Sequence, residues 1–208
     1  YSMQANSINI GNALSFVRQL QAEGGTEMRP ALKLAMEARL QETHLRQIVF
    51  ITDGSVGYED EMFSMIEQKL GTARLFTVGI GSAPNSLFMR KAAESGRGSY
   101  TFVSALHEVR EKMDALFKKL EHPQVTDIEV QWPSGVLVDA YPSTVPDLYL
   151  GEPVTIKARA SGDFRPGDVV RISGNSVTGG WSTELALDGT AGSEGVPAHW
   201  ARARIGEL

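Results

Sequence analysis

The sequence predicts an α/β fold, a doubly wound and mainly parallel sheet over residues 1–121, followed by a β-rich, sandwich-like region over residues 122–208. Up to residue 121, strand patterns alternate with helical patterns, which is typical of parallel sheets with crossover helices. The strands are continuously apolar, as expected when both faces of a sheet are covered. After His122-Pro123 the helical patterns give way to short Val- and Ile-rich runs, which favour antiparallel strands.

The first region begins with two helical patterns. Apolar residues recur three or four positions apart over 10–20 and again over 28–36, which predicts two helices with one apolar face each. Strands and helices then alternate. Strands are predicted at 47–52, 73–79 and 99–103, and helices near 59–70, 85–95 and 106–121.

The β-rich region contains five candidate strands: "VTDIEVQW", "GVLVDAY", "PVTIKARA", "DVVRISG" and "WSTELAL". Pro and Gly separate them, so we expect an antiparallel sandwich or part of one. The final "PAHWARARIGEL" fits either a short helix or an extended arm. Trp132, Trp181 and Trp200 are expected to be core or interface anchors of this region.

Composition excludes several classes of protein. The net charge is -5 and no Lys/Arg run is clustered, which argues against a nucleic-acid surface. The absence of cysteine removes thiol catalysis, disulfides and cysteine-bound zinc. No stretch approaches the ~18 uninterrupted apolar residues of a transmembrane helix. Because the chain starts at Tyr1 without an initiator Met or a signal-peptide pattern, we interpret it as a piece of a longer polypeptide.

Two segments offer oxygen ligands for a site. In "QIVFITDG" an apolar strand stops at Asp53, and ligand sites of open α/β sheets lie at such carboxyl ends. Asp53 could equally be a turn former or a helix cap. In "EGGTEM", Thr26 could be the N-cap of the following helix or a hydroxyl ligand beside its N-terminus.

Other chemistry-bearing patterns are weak. The segment "TVGIGSAPNS" resembles a phosphate-binding loop but lacks the P-loop Lys and the GxGxxG spacing. Gly79, Gly81 and Pro84 are therefore expected to be turn residues. Ser55 has neither a G-x-S-x-G elbow nor a His partner. The four histidines lack the paired spacing of metal ligands; they are His44, His107, His122 and His199.

Four stretches together carry a family resemblance: "EGGTEMRPALKLAM", "IVFITDGSVGYED", "ARLFTVGIGSAPNSLFMRKAAESGRGSYTFV" and "PAHWARARIGEL". They resemble a von Willebrand factor A domain, which has a Rossmann-like fold, together with the β-rich region that follows that domain. The subgroup is the inter-alpha-trypsin inhibitor heavy-chain type, including its bacterial cell-envelope relatives. The resemblance covers nearly the whole chain, with GGT, TDG and VGIG in that order about 25 residues apart.

The resemblance implies a metal-ion-dependent adhesion site that holds Mg²⁺ or Mn²⁺, hard cations that prefer oxygen ligands. In the family the ligands come from a D-x-S-x-S segment, a Thr and an Asp; Thr26 and Asp53 match the last two. No D-x-S-x-S occurs in the 208 residues. We therefore expect a chain truncated before that segment, with the metal bound in the intact protein and not tightly by this fragment. Strand 47–52 should present an unpaired edge through which the fragment self-associates.

The leading functional hypothesis is a non-enzymatic adhesion or protein-binding module, extracellular or in the cell envelope. Its metal would bind a carboxylate of a protein ligand, in the extracellular matrix or on a cell surface. The alternative is a Mg²⁺-dependent phosphohydrolase of doubly wound fold with Asp53 as one ligand. That chemistry needs carboxylates at neighbouring strand ends, and the loop after strand 73–79 contains none. A structural domain with a vestigial metal site is a third reading.

Overall fold

The computed structural model describes residues 3–21, 27–37, 45–55, 57–163, 165, 167–187 and 195–207. The helices are α1 Ser7–Gln19, α2 Met28–Glu37, α3 Glu59–Lys69, α4 Ser86–Ser95, α5 Val109–Leu120 and α6 Gly195–Glu207. The strands are β1 Gln47–Thr52, β2 Arg74–Ile80, β3 Tyr100–Val103, β4 Pro123–Gln131, β5 Val136–Tyr141, β6 Leu148–Tyr149, β7 Lys157–Gly162, β8 Val169–Ser176 and β9 Gly179–Ala186.

The first region forms a parallel sheet of order β1-β2-β3. Its central strand β2 is buried along its length except at Ile80. Adjacent residues of β2 point to opposite faces, and both faces are covered by helices. Leu75 packs with Met62 and Ile66 of α3, in a cluster that α2 and α4 also join, whereas Phe76 packs with Leu116 of α5. The predicted doubly wound α/β class is confirmed.

The outer edge of this sheet is open within the described part of the chain. There β1 pairs with β2 alone, and Ile51 is 50% exposed. Helix α1 forms where the apolar spacing predicts it, but none of its residues is buried. Its side chains Leu14 and Phe16 are more than half exposed. Helix formation here follows from the local pattern, while burial requires packing against another element, and none of the described elements buries α1.

The second region contains a four-stranded antiparallel sheet, β6-β4-β8-β9, and a two-stranded one, β5-β7. The two-residue strand β6 was not predicted, and β7 begins at Lys157 rather than at Pro153. The chain end left open in the sequence analysis is a helix, α6. Trp200 anchors it, because its indole N–H donates to the Asp139 carbonyl oxygen at 2.9 Å. Trp181 lies exposed on β9, so it is not a core residue.

The two regions meet at the amino end of the parallel sheet. Arg74, the first residue of β2, hydrogen-bonds to Asp147 and Asp127 of the second region. Asp53 follows β1 and therefore lies at the opposite, carboxyl end. Among the described residues, no helix is long and apolar enough to cross a membrane.

Candidate functional site

The candidate site lies at the carboxyl end of the parallel sheet. Strands β1 and β2 run in register there, with Thr52 opposite Gly79, and β3 ends beside β2. Asp53 immediately follows β1, and its side chain is exposed. The structure thus places this carboxylate at the end of an edge strand, in the position where open α/β sheets bind ligands.

Thr52 holds the turn that carries Asp53. Its side chain is buried, 8% exposed, and its hydroxyl oxygen accepts a hydrogen bond from the Gly54 N–H at 3.1 Å. This contact ties the peptide beyond Asp53 back to the strand end, as in other Thr turns. The sequence analysis missed this role. The signal was present, because a hydroxyl residue directly precedes Asp-Gly.

Thr26 lies outside the described residues, as does His44, so neither role considered for Thr26 is tested. The neighbouring helix is described from Met28 onward. Arg29 forms an ion pair with Glu61 of α3, and its guanidinium lies 6.0 Å from the centre of the Tyr58 ring. The start of α2, which follows Thr26 in sequence, therefore lies beside the start of α3, which follows the Asp53 turn.

The loop between β2 and α4 is arranged for helix capping rather than for phosphate binding. Asn85 Oδ1 accepts from the N–H groups of Leu87 and Phe88 at 3.0 and 3.2 Å, so it occupies the helix N-terminus that would face an anion. The Asn85 amide also donates to Glu59 at 2.6 Å. Sequence reasoning missed Asn85, although Asn before an apolar helical pattern is a cap signal.

The two glycines of this loop differ. Gly81 has φ +78°, a conformation that glycine adopts without strain, so its prediction as a turn residue is confirmed. Gly79 lies inside β2, and the turn role expected for it is wrong. A Cβ at Gly79 would come within 2.9 Å of the Tyr100 hydroxyl oxygen. The absence of a side chain at Gly79 leaves room for the Tyr100 ring.

Acidic side chains dominate this end of the molecule. Glu59, Asp60 and Glu61 occupy the first turn of α3, where carboxylates interact favourably with the helix dipole. Glu108, near the end of β3, accepts hydrogen bonds from the Ser104 hydroxyl and N–H at 2.9 and 3.0 Å. These bonds lower the pKa of Glu108 below its usual range.

Comparison with known proteins finds a family match for the segment that carries Asp53. Residues 2–102 match the von Willebrand factor type A domain. The resemblance drawn from the sequence is therefore confirmed. Relatives include a von Willebrand factor A domain-containing protein of Dictyostelium discoideum, 23% identical over 86% of this chain and 22% of its own length. The inter-alpha-trypsin inhibitor heavy chain H2 of Sus scrofa is 20% identical over 97% of this chain and 23% of its own length.

The chain spans about a fifth of the length of these curated relatives. Two solved structures share its fold. The von Willebrand factor type A protein of Catenulispora acidiphila has a TM-score of 0.64 at 18% identity, and covers 89% of this chain and 51% of its own. The ArnB paralog VWA2 of Sulfolobus acidocaldarius has a TM-score of 0.52 at 16% identity, with 88% and 52% covered. Von Willebrand A domains are generally protein-interaction modules, typically non-enzymatic, and they commonly bind Mg²⁺ or Mn²⁺.

The donors in the segment that matches the von Willebrand factor type A domain fit such a cation in part. Asp53 offers the exposed carboxylate oxygens that Mg²⁺ and Mn²⁺ prefer. Across the residues that the structure describes, no three His, Cys, Asp or Glu side chains come together in a group able to hold a metal. Asp53 thus supplies the type of oxygen donor that such a cation prefers.

Proposed function

We propose that the chain is a non-enzymatic protein-binding module whose binding site is centred on Asp53. In this proposal Asp53 and Thr26 are two of the oxygen ligands of a Mg²⁺ or Mn²⁺ ion, and the ion binds a carboxylate of a partner protein. The observation that carries the proposal is the exposed Asp53 carboxylate at the carboxyl end of β1, within a segment that matches the von Willebrand factor type A domain.

In the part of the chain that the structure describes, the outer edge of β1 is open. This edge is where we place the remaining metal ligands. A strand that paired with this edge in parallel would end beside Asp53, because parallel strands bring their carboxyl ends to one side of a sheet. The D-x-S-x-S ligands of the family are absent from the 208 residues. A strand at this edge would supply them in the intact protein, so we expect at most weak cation binding by the 208-residue chain.

The phosphohydrolase alternative receives no support from the residues near Asp53. Metal-assisted phosphoryl chemistry needs further carboxylates at neighbouring strand ends. The turn after β2, residues 81–85, contains none. Glu108, near the end of β3, is engaged by Ser104. Binding rather than catalysis is therefore the proposed role.

The localisation that we propose rests on the family. Von Willebrand A proteins are often extracellular. We assign the intact protein to the extracellular space or the cell envelope, with a matrix or cell-surface protein as its partner. The domain organisation belongs to the same proposal, with the von Willebrand A segment ending near residue 121 and the β-rich region following it.

The test is a calorimetric titration of Mg²⁺ and of Mn²⁺ into the intact protein. The same titration is made with its Asp53→Asn variant. Loss of a ligand should weaken cation binding by at least about tenfold, because even outer-shell changes cost that much. Asp60→Asn is the control, since Asp60 is also acidic and exposed at this end but has no assigned ligand role. Full cation affinity in Asp53→Asn, or an equal loss in Asp60→Asn, would contradict the proposal.

A further inference from the structure

A buried ion pair joins the two regions of the chain. Arg74 is fully buried at the start of β2, and Asp147, just before β6, is 4% exposed. The guanidinium donates from Nε to Asp147 Oδ2 at 2.5 Å and from Nη2 to Oδ1 at 3.0 Å. This two-bond arrangement is the strong, geometrically specific form of an Arg–carboxylate pair.

A second, more exposed layer surrounds this pair. Arg74 Nη2 and Arg97 Nη1 both donate to Asp127 Oδ1, at 2.8 and 3.1 Å. The Asp127 backbone N–H donates to Asp147 Oδ1 at 3.2 Å. Asp127 adopts φ +52°, which is uncommon for a residue other than glycine. We call Arg74, Arg97, Asp127 and Asp147 the charge clamp; it holds two cations from the first region and two anions from the second.

Apolar packing continues beside the charge clamp. Tyr149 of β6 is 3% exposed and belongs to the same buried cluster as Phe76, Leu116 and Leu120. Its ring meets the ring of Phe76 edge-on, with centroids 6.0 Å apart. Lys119 of α5 lies 5.0 Å from the centre of the Tyr149 ring. The second region therefore completes the core beneath the parallel sheet.

We propose that the charge clamp and Tyr149 make the parallel sheet and the β6-β4-β8-β9 sheet one cooperative folding unit. The sequence boundary between residues 121 and 122 then separates two architectures but is not a folding boundary. Without the second region, Arg74 would lose both of its carboxylate partners and the hydrogen bonds that they accept. The Phe76 cluster would also lose the ring that covers it.

This arrangement has a consequence for binding. The charge clamp holds the β-rich region against the amino end of β2, whereas Asp53 lies exposed at the carboxyl end of β1. Because Asp53 is exposed while the two regions are in contact, a partner can reach it without displacing the described part of the β-rich region. The charge clamp holds the β-rich region in a fixed position against the von Willebrand A segment. The β-rich region is therefore not a second domain that moves about a hinge.

Natural reporters separate the two regions in a folding experiment. All three tryptophans, Trp132, Trp181 and Trp200, lie in the second region, whereas five of the six helices that the structure describes lie in the first. Urea unfolding of the 208-residue chain can therefore be followed by tryptophan fluorescence for one region and by circular dichroism at helical wavelengths for the other. A single unit gives the same midpoint with both probes.

Asp147→Asn is the decisive variant, because it removes the buried anionic partner of Arg74 and leaves only the more exposed Asp127. We expect both midpoints to move to lower urea by the same amount, although Asp147 belongs to the second region. The matched control is Asp114→Asn, which removes the exposed partner of Arg110 and should move neither midpoint. If Asp147→Asn fails to fold, Tyr149→Leu is the milder variant with the same expected pattern.

Three outcomes would overturn the proposal. The first is two separate midpoints in the unaltered chain. The second is a variant whose fluorescence midpoint falls while its helical midpoint stays in place, because the regions would then unfold independently. The third is an Asp147→Asn chain with both midpoints unchanged, because the charge clamp would then contribute nothing to the coupling.

Discussion

At the scale of single residues, Gly98 shows how closely the chain packs around the central strand. A Cβ at this position would lie 2.0 Å from the Leu75 carbonyl oxygen and 2.7 Å from its carbonyl carbon. The Gly98 N–H also donates to the Ala93 carbonyl oxygen at 2.8 Å. The segment between α4 and β3 is therefore held against the backbone of β2. A side chain added at Gly98 cannot displace that backbone.

We predict that Gly98→Ala lowers the free energy of unfolding by about 3 kcal/mol or more, since the clash is with backbone atoms. Urea unfolding measures the change. Gly11→Ala is the control, because Gly11 is in helix α1, where an added Cβ would meet no described atom beyond its own helix within 4 Å. That substitution should be neutral or stabilise the chain by up to about 1 kcal/mol. Equal stability of the two variants would contradict the close approach.

Asp127 makes part of the stability depend on pH. Burial by itself would raise the pKa of Asp127, but hydrogen bonds from Arg74 and Asn175, together with the charge of Arg74, outweigh it and lower the pKa. The unfolded chain then binds a proton at a higher pH than the folded chain does. The stabilisation is complete above the ordinary Asp value of about 4 and is lost as the pH falls through the lower folded value.

We therefore predict that the stability difference between the unaltered chain and Asp127→Asn is largest at neutral pH and shrinks towards pH ~3. Urea unfolding at several pH values measures it, with Asp114→Asn as the exposed control. A difference that stays constant from neutral to acidic pH would show that the Asp127 charge does not stabilise the fold.

At the scale of elements, β1 is the least satisfied strand of the parallel sheet. It pairs on one side within the described part of the chain, and its Ile51 side chain is half exposed. An open, apolar strand edge is a template for pairing with another chain. Self-association through β1 therefore stays a prediction for the 208-residue chain.

Ile51→Lys should reduce this self-association, because a charged side chain on an edge strand opposes pairing. We expect sedimentation velocity to show a larger monomer fraction at the same concentration. Ile205→Lys is the control, since Ile205 is 70% exposed on α6, outside the parallel sheet. If the Ile205 variant dissociates the chain and the Ile51 variant does not, the contact lies elsewhere.

At the scale of the whole molecule, the net charge and the internal ion pairs both argue against a nucleic-acid partner. The chain carries 25 acidic and 20 basic residues, for a net charge of -5. At the amino end of the sheet, Arg74 and Arg97 are engaged by Asp127 and Asp147. Basic residues whose charge is neutralised by carboxylates within the fold do not form the phosphate-binding surface of a nucleic-acid protein.

We predict no measurable binding of a labelled single-stranded or double-stranded oligonucleotide by fluorescence polarisation at physiological salt. The expected affinity is weaker than the ~10⁻⁴ M limit of ordinary non-specific binding. A signal that strengthened as the salt concentration fell would instead reveal a basic surface that the net charge conceals.

The sequence was most informative where structure depends on local pattern. The helices and parallel strands up to residue 121 lie where the sequence predicts them, because helical apolar spacing and continuous apolar runs are local properties. Asp53 at a strand end was also readable, since the strand and its stop are contiguous. The charge clamp was not, because Arg74 and Asp147 are 73 positions apart and each reads as an ordinary charged residue.

The sequence by itself determined the α/β class, the order of the strands along the chain, the family resemblance and Asp53 as a candidate ligand. Only the tertiary structure decided that β1 forms the edge of the described sheet and that α1 buries none of its residues. It also decided that the second region closes the core below the first. The reason is physical. Helix and strand preferences act between neighbours in sequence, whereas burial and ion pairing depend on which distant segments the fold brings together.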